Sequence, residues 1–339
     1  MQLLKIKLYY FMKNTIRLKY ILFFLFVTQL FFAQTANPEK YKYQFVVAKD
    51  GSGDYKYIQD AIDAMRKFPL APITLYIKNG VYNEKIELSA NNTDVIFIGE
   101  SVDKTIITYN DYSGRGKMGT FDSYTAKISG NRFKAENITF ANSAGRVGQA
   151  VALYVDADKA VFKNCKFLGN QDTIYHGGEY SRQFFVDCYI EGTTDFLFGP
   201  ATAVFKNCTL FCKANSYIAA PNTPKDKEFG FVFLDCKVIV NEEVDKLYLG
   251  RPWRAWAKSV FIRCELPKQI AVEGWDNWGN TDNEKTAFFA EYECTGEGFK
   301  PKERALWTHQ LKKSEAERYT LKTILGSNSK SSEKEWYEL

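Results

Sequence analysis

The sequence predicts an all-β chain folded as a stacked solenoid, a parallel β-helix. Three observations predict it. A short strand pattern recurs, its cysteines fall at one phase of the repeat, and the segments between are short, β-branched and aromatic. The pattern is Asn or Asp, then Cys or Ile, then any residue, then an apolar one. It reads Asn137-Ile138-Thr139-Phe140, Asn164-Cys165-Lys166-Phe167, Asp187-Cys188-Tyr189-Ile190, Asn207-Cys208-Thr209-Leu210 and Asp235-Cys236-Lys237-Val238. Arg263-Cys264-Glu265-Leu266 is a weaker copy, and Cys294 marks a last one. The steps from Ile138 to Cys294 are 27, 23, 20, 28, 28 and 30 residues. Uneven steps around a constant core fit coils whose loops vary while their strands stack. Each copy alternates, so the Cys or Ile points inward and the next residue outward. Helix-pair repeats fit poorly with flanking Gly and Asn and with so many β-formers.

The elements follow in order. Phe45 to Ala48 reads as a first strand. Tyr57 to Phe68 carries Ile58, Ala61, Ile62 and Met65 at helical spacing, and so predicts an N-terminal capping helix over the open end of the solenoid. Ile73 to Ile77 and Val95 to Ile98 are further strands. Coils run to about residue 265. Beyond Asp282 the pattern gives way to loops and short helices. The segment 326–339 reads as a polar C-terminal tail, expected to fray.

No Pro/Gly/Ser-rich linker divides the middle, so residues 34–325 are expected to form a single catalytic domain. Residues 1–33 read as a cleavable signal peptide, with a basic stretch ending at Lys19, an apolar run from Ile21 to Phe32 and a junction at Ala33-Gln34. Met12 is a second possible start. The run is short for a membrane span, so the expectation is a secreted or periplasmic protein without stable membrane association. Lys+Arg number 45 against 40 Asp+Glu, and five of the bases (Lys5, Lys7, Lys13, Arg17, Lys19) precede residue 34, where there is no acid. The remainder balances, so the basic pI does not point to nucleic acid. Seven cysteines leave at least one unpaired, and their shared phase favours an internal stack of thiols over disulfides. Cys208 and Cys212 are the one pair left open. A monomer is expected, since stacking fills the core and capped ends block further assembly.

Histidine is limited to His176 and His309, and no Gly-x-Ser-x-Gly elbow occurs. Cysteines on one internal ladder do not converge on a metal. Carboxylates must therefore carry any catalysis. Asp172 and Asp195 are 23 residues apart, as are Cys165 and Cys188, and each follows its cysteine by seven. On neighbouring coils, about 4.8 Å apart, two carboxylates cannot both ionise freely, and one pKa must rise. That gives one proton donor and one charged nucleophile.

The residues around this pair resemble those of a known family. Gly169-Asn-Gln-Asp-Thr-Ile-Tyr175, Gly192-Thr-Thr-Asp-Phe-Leu-Phe-Gly199 and Leu249-Gly-Arg-Pro-Trp253 are similar to three signatures of the pectin methylesterases (pectinesterases), here of the bacterial secreted type. Gly80-Val-Tyr-Asn-Glu84 and Gln149-Ala-Val-Ala-Leu153 are similar to two further family elements. The resemblance runs from about Phe45 to Leu325. It implies a right-handed parallel β-helix and a carboxylic ester hydrolase that removes methyl esters from pectin. It makes Asp195 the nucleophile, Asp172 the acid and base, Gln171 and Gln149 the oxyanion donors, and Arg251 the residue that orients Asp195 and keeps it charged by lowering its pKa. It places Trp253, Tyr175 and Phe196 in the substrate cleft, although strand alternation divides Tyr175, Phe196 and Phe198 between cleft and core. His176 is expected on the rim, and Glu84 to be structural. No metal or organic cofactor is implied. Asn170, Tyr154 and Ile218-Ala-Ala-Pro-Asn222 depart from common family residues and leave subsite preference open. The competing readings are a polysaccharide lyase, which needs a calcium-binding acidic cluster, an esterase of another substrate, and a non-catalytic carbohydrate-binding β-helix.

Overall fold

The repeat found in the sequence is the repeat of the fold. The computed structural model describes residues 41–326 and 334–338; the expected leader, residues 1–33, lies outside them. All the strands pair in parallel, in one sheet of 11 strands and two of 7. One coil comprises Ala160–Lys163, Lys166–Leu168 and Ile174–His176, one strand in each sheet. The next comprises Arg182–Val186, Tyr189–Gly192 and Leu197–Gly199. The register pairs Thr139 with Lys166, Lys166 with Tyr189, Tyr189 with Thr209, and Thr209 with Lys237. Bridges continue from Lys237 to Glu265 and from Glu265 to Thr295. These offsets reproduce the steps between the sequence repeats, so the predicted parallel β-helix is the architecture.

The Asn or Asp of each repeat has a conformational reason. Asn137, Asn164, Asp187, Asn207 and Asp235 all have φ between 47° and 60°. This left-handed region is disfavoured for most residues but tolerated by Asn and Asp. It turns the chain sharply from one sheet into the next. The side chains then form a ladder outside the corner: Asn164 Nδ2 donates to Asn137 Oδ1 at 2.6 Å, and Asn207 Nδ2 to Asp187 Oδ1 at 2.6 Å. Arg263 replaces the amide on a later coil and pairs with Asp235 at 2.6 and 3.0 Å.

Inside the corner stand the thiols. Cys165, Cys188, Cys208, Cys236, Cys264 and Cys294 are buried and free. Each Sγ lies against backbone carbonyls, as Cys236 does against Phe205 O at 3.4 Å. Cys212 is buried and free as well, at the far end of the Thr209–Cys212 strand that Cys208 precedes, so the pair left open is not a disulfide. Beside the thiols, Phe162, Phe185, Phe205, Phe233 and Phe261 stack coil upon coil, with ring centroids 4.7, 5.2, 4.7 and 4.1 Å apart. Each such burial contributes roughly 1.5–3 kcal/mol, repeated along one axis.

The capping helix forms at Ile58–Ala64, with Ile58, Ala61 and Ile62 buried. Tyr57 makes no side-chain cap. Glu84 supplies one from the connection between the strands Gly80–Asn83 and Ile86–Leu88, accepting from Ile58 N at 2.9 Å and Gln59 N at 3.1 Å, which gives this motif residue its structural role. Short helices form at Thr281–Glu284, Lys313–Ala316 and Leu321–Leu325, as expected, but the strands Phe288–Tyr292 and His309–Gln310 extend the large sheet beyond the first of them, so the coils run past the expected end near residue 265. The chain end departs from expectation where it is described. Trp336 and Tyr337 are buried with Phe184 and Val161 on the outer face of the large sheet, because that face is itself apolar and needs a cover.

Candidate active site

Asp172 and Asp195 each sit at the corner before a strand, with φ of 64° and 48°. The pairing of Ile174 with Leu197 puts them at one level of adjacent coils, as their shared phase predicts. Asp172 N donates to Thr194 O at 3.1 Å, and Asp195 N to Tyr217 O at 2.9 Å. Each backbone is thus tied to the next coil. The signature glycines allow the tight turns. A Cβ on Gly192 would stand 2.2 Å from Phe196 Cβ, and Gly199 has φ of 131° with His176 O in the way of a side chain.

Arg251 follows the Tyr248–Gly250 strand two coils on from Asp195. Its Nε donates to Asp195 Oδ1 at 3.0 Å and its Nη2 to Oδ2 at 2.7 Å. This planar fork fixes the carboxylate in orientation as well as charge. The guanidinium is itself clamped between the rings of Tyr217, at 3.9 Å, and Trp278, at 3.6 Å. Gln149 bridges to Gln171 in parallel pairing. The Thr120 hydroxyl donates to Gln149 Oε1 at 2.7 Å, which leaves the amide N–H groups of that side chain to donate, and the Asp172 carboxyl accepts from them.

The two carboxyls are electrostatically unlike. Burial and the charge of Asp195 push Asp172 up to about 8, while the Arg251 charge and the Gln149 amide oppose the rise. Burial also raises Asp195, against the hydrogen bonds and charge of Arg251. The sequence predicts a lowered Asp195; desolvation outweighs the arginine, and the net direction is upward. The expected divergence survives in another form, since only Asp195 has a cation bonded to both oxygens.

These groups open onto one cleft of about 230 Å³, lined by Gln149, Gln171, Asp172, Asp195, Arg251 and Trp253, with Phe198, Phe121, Thr120 and Trp278 around them. Tyr175 is half-buried beside it, with its ring 5.0 Å from Phe198 and 4.8 Å from Phe121. Phe196 does not belong to the cleft. It is fully buried in the core, because the left-handed turn at Asp195 breaks strand alternation and directs the next side chain inward. Phe198, in register with Tyr175, takes its place. His176 is likewise corrected from rim to core. It is fully buried, and Gln183 Oε1 meets its Nδ1 at 2.8 Å. Burial holds the imidazole down to about 3. Thr120, Phe121, Tyr217 and Trp278 carry no signal in the sequence, since they reach the cleft from loops and coils well away from the motifs.

An open cleft on a β-helix, floored by aromatic rings and equipped with two carboxyls of unequal character, defines an enzyme of the carboxylate-dependent polysaccharide-active class. The particular family follows from comparison. The pectinesterase family model matches residues 44–328, and the chain belongs to that family. Pectinesterase 31 of Arabidopsis thaliana is 38% identical over 283 residues, covering 80% of this chain and 88% of that protein. The chain spans about half the length of relatives whose names join pectinesterase with pectinesterase inhibitor. Among solved structures, pectin methylesterase from carrot superposes with a TM-score of 0.80 at 30% identity, covering 87% of this chain and 95% of that one. A pectin methylesterase in complex with a hexasaccharide gives 0.73 at 30% identity, covering 84% and 97%. The family stands without the bacterial type, since the sequence relatives named here are plant proteins.

Proposed function

We propose that this protein hydrolyses the methyl esters of pectin, releasing methanol and leaving free galacturonate. One observation carries the reading: a carboxylate held by both oxygens in an arginine fork lies one coil from a carboxyl that keeps its proton to about pH 8. The solved relative bound to a hexasaccharide supports a sugar polymer as the substrate.

The chemistry follows from the groups. An oxygen of Asp195 attacks the ester carbonyl carbon, and the carbonyl oxygen takes the negative charge. Amide N–H groups of Gln149 and Gln171 stabilise that oxyanion without adding net charge to the carboxyl pair. As the tetrahedral centre collapses, the C–OCH3 bond breaks and Asp172 gives its proton to the leaving oxygen. Methanol departs, and the acyl group remains on Asp195 as an anhydride. Asp172, now a carboxylate, takes a proton from water as the water attacks the acyl carbon. The bond to Asp195 breaks, the uronic acid is freed, and Asp172 is protonated again. One water is consumed and one methanol released. Trp253 and Phe198 offer aromatic faces to the sugar rings.

The chain acts outside the cytoplasm as a monomer, after removal of residues 1–33. The basic and apolar N-terminal sequence supports export, and the helix over the first coil supports a solenoid that does not extend end to end. Among the described residues no helix is long and apolar enough to cross a membrane. N-terminal sequencing of the exported protein and its elution volume test both points.

The decisive assay incubates residues 34–339 with highly methyl-esterified pectin and measures methanol and unsaturated sugar ends together, beside an Asp195→Asn control. Methanol from the wild type alone is the expected result. Unsaturated ends without methanol would mean a lyase and overturn the proposal.

A further inference from the structure

The oxyanion side of the site has a requirement that its own residues do not meet. Gln149 must turn its N–H groups, not its carbonyl, toward the ester, and an amide side chain can sit either way round. The Thr120 hydroxyl, 2.7 Å from Gln149 Oε1, decides between them. Thr120 lies on a single turn, Thr120–Asp122, in the loop between the strands Thr105–Tyr109 and Ala126–Ile128. A turn of three residues is not stiff by itself, so its position must be set from outside.

That support converges on Asn142, the last residue of the strand Thr139–Asn142, whose side chain is buried. Its Nδ2 donates to Asp111 O at 2.8 Å, Ser123 O at 3.1 Å and Val151 O at 3.2 Å. Its Oδ1 accepts from Ala144 N at 3.0 Å, so four partners fix the orientation of this amide. Asp111 and Ser123 lie on either side of Thr120 in its loop, and Val151 follows Gln149 in the chain. Ser123 passes the constraint on. Its hydroxyl donates to Thr120 O at 2.6 Å and accepts from Val151 N at 3.2 Å. The same loop reaches Gln149 directly, where Ser113 N donates to Gln149 O at 2.9 Å. Such a buried network holds one geometry, because each broken bond leaves a buried polar group unpaired.

Building on the proposed esterase activity, we infer that Asn142 is a positioning residue for the oxyanion donor: by pinning the Thr120 loop to the backbone beside Gln149, it keeps the Gln149 amide turned with its N–H groups toward Asp172 and the ester carbonyl. Asn142 acts through Gln149, so its loss is felt in the chemical step and disappears when Gln149 is absent.

The test measures kcat and KM for methanol release by wild type, Asn142→Ala, Thr120→Val and Thr120→Ser, and repeats Asn142→Ala in a Gln149→Ala background. Asn142→Ala and Thr120→Val should each lower kcat about tenfold with KM nearly unchanged, a smaller loss than removing an oxyanion donor outright. Thr120→Ser keeps the hydroxyl and should recover kcat. With Gln149 already replaced, Asn142→Ala should change kcat by less than about twofold. An equal loss in both backgrounds makes Asn142 structural only and overturns the inference. Where Asn142→Ala does not fold, Ser123→Ala, which breaks the next link, takes its place in the same cycle. A readout without turnover separates this inference from the esterase reading. Gln149 donates to Asp172, and a hydrogen bond to a carboxylate favours its charged form. Carbon-13 NMR of the Asp172 carboxyl, assigned with Asp172→Asn, should show it holding its proton to higher pH in Asn142→Ala and Thr120→Val, by about half a unit, but not in Thr120→Ser. That shift without methanol release from the wild type keeps the positioning of Gln149 and removes the esterase. Methanol release with kcat and the Asp172 titration both unmoved in Asn142→Ala does the reverse.

Discussion

Replacing Arg251 by Gln removes both hydrogen bonds to Asp195 and the charge opposing its protonation. The side chains of the pair are 18% and 8% exposed, so solvent screens them little. Breaking a buried ion pair by deleting one partner costs about 3–5 kcal/mol. The low end applies, because Arg251 reaches the cleft surface. If about 3 kcal/mol is lost from the nucleophile, the rate falls about a hundredfold. The loss has a second signature. Without Arg251 the Asp195 carboxyl binds its proton at higher pH, so the acid limb of kcat/KM moves upward. Arg251→Lys keeps the charge but loses the fork and the flat stacking between Tyr217 and Trp278, and should fall between wild type and Arg251→Gln. The assay is methanol release as a function of pH for the three proteins, with folding checked by thermal denaturation. Activity of Arg251→Gln within about fivefold of wild type, with an unmoved acid limb, would refute the reasoning.

Three further outcomes are expected. Activity should fall as pH rises through about 8, where Asp172 loses the proton it must donate. The same group makes stability pH-dependent: its folded pKa is raised, so the folded state binds more protons, and stability declines between the ordinary value of 3.8 and about 8. Asp172→Asn should thus abolish methanol release yet raise Tm relative to wild type in alkali, with the difference vanishing in acid; calorimetry across pH checks it. The seven thiols should resist a thiol reagent in the native protein and all react after unfolding, because burial excludes the reagent and raises the Cys165 and Cys212 thiols. Rapid native labelling would contradict the internal stack.

The sequence by itself determined the repeat, and the repeat determined much else. A cysteine in step with an apolar residue fixes which side chains face the core, and the spacing fixes which residues meet on adjacent coils. Asp172 and Asp195 could be placed side by side for that reason alone, since parallel register converts equal phase into proximity. The Asn or Asp before each cysteine was legible as a pattern, but its purpose, a left-handed corner, emerged only with the backbone. Tertiary structure alone decided which way side chains point once a corner interrupts alternation. Phe196 turned into the core and Phe198 outward because the turn at Asp195 resets the count. His176 went inward, where Gln183 satisfies one nitrogen. It also decided what arrives from elsewhere in the chain. Thr120 orients Gln149 from 29 residues away, and Trp278 closes over Arg251 from the loop beyond it. The net rise of Asp195 belongs to the same class, because desolvation depends on everything packed around a group. Local spacing records neighbours along a strand or across a regular register. Irregular loops folding back over a cleft leave no period in the sequence, and only the closed structure shows where they land.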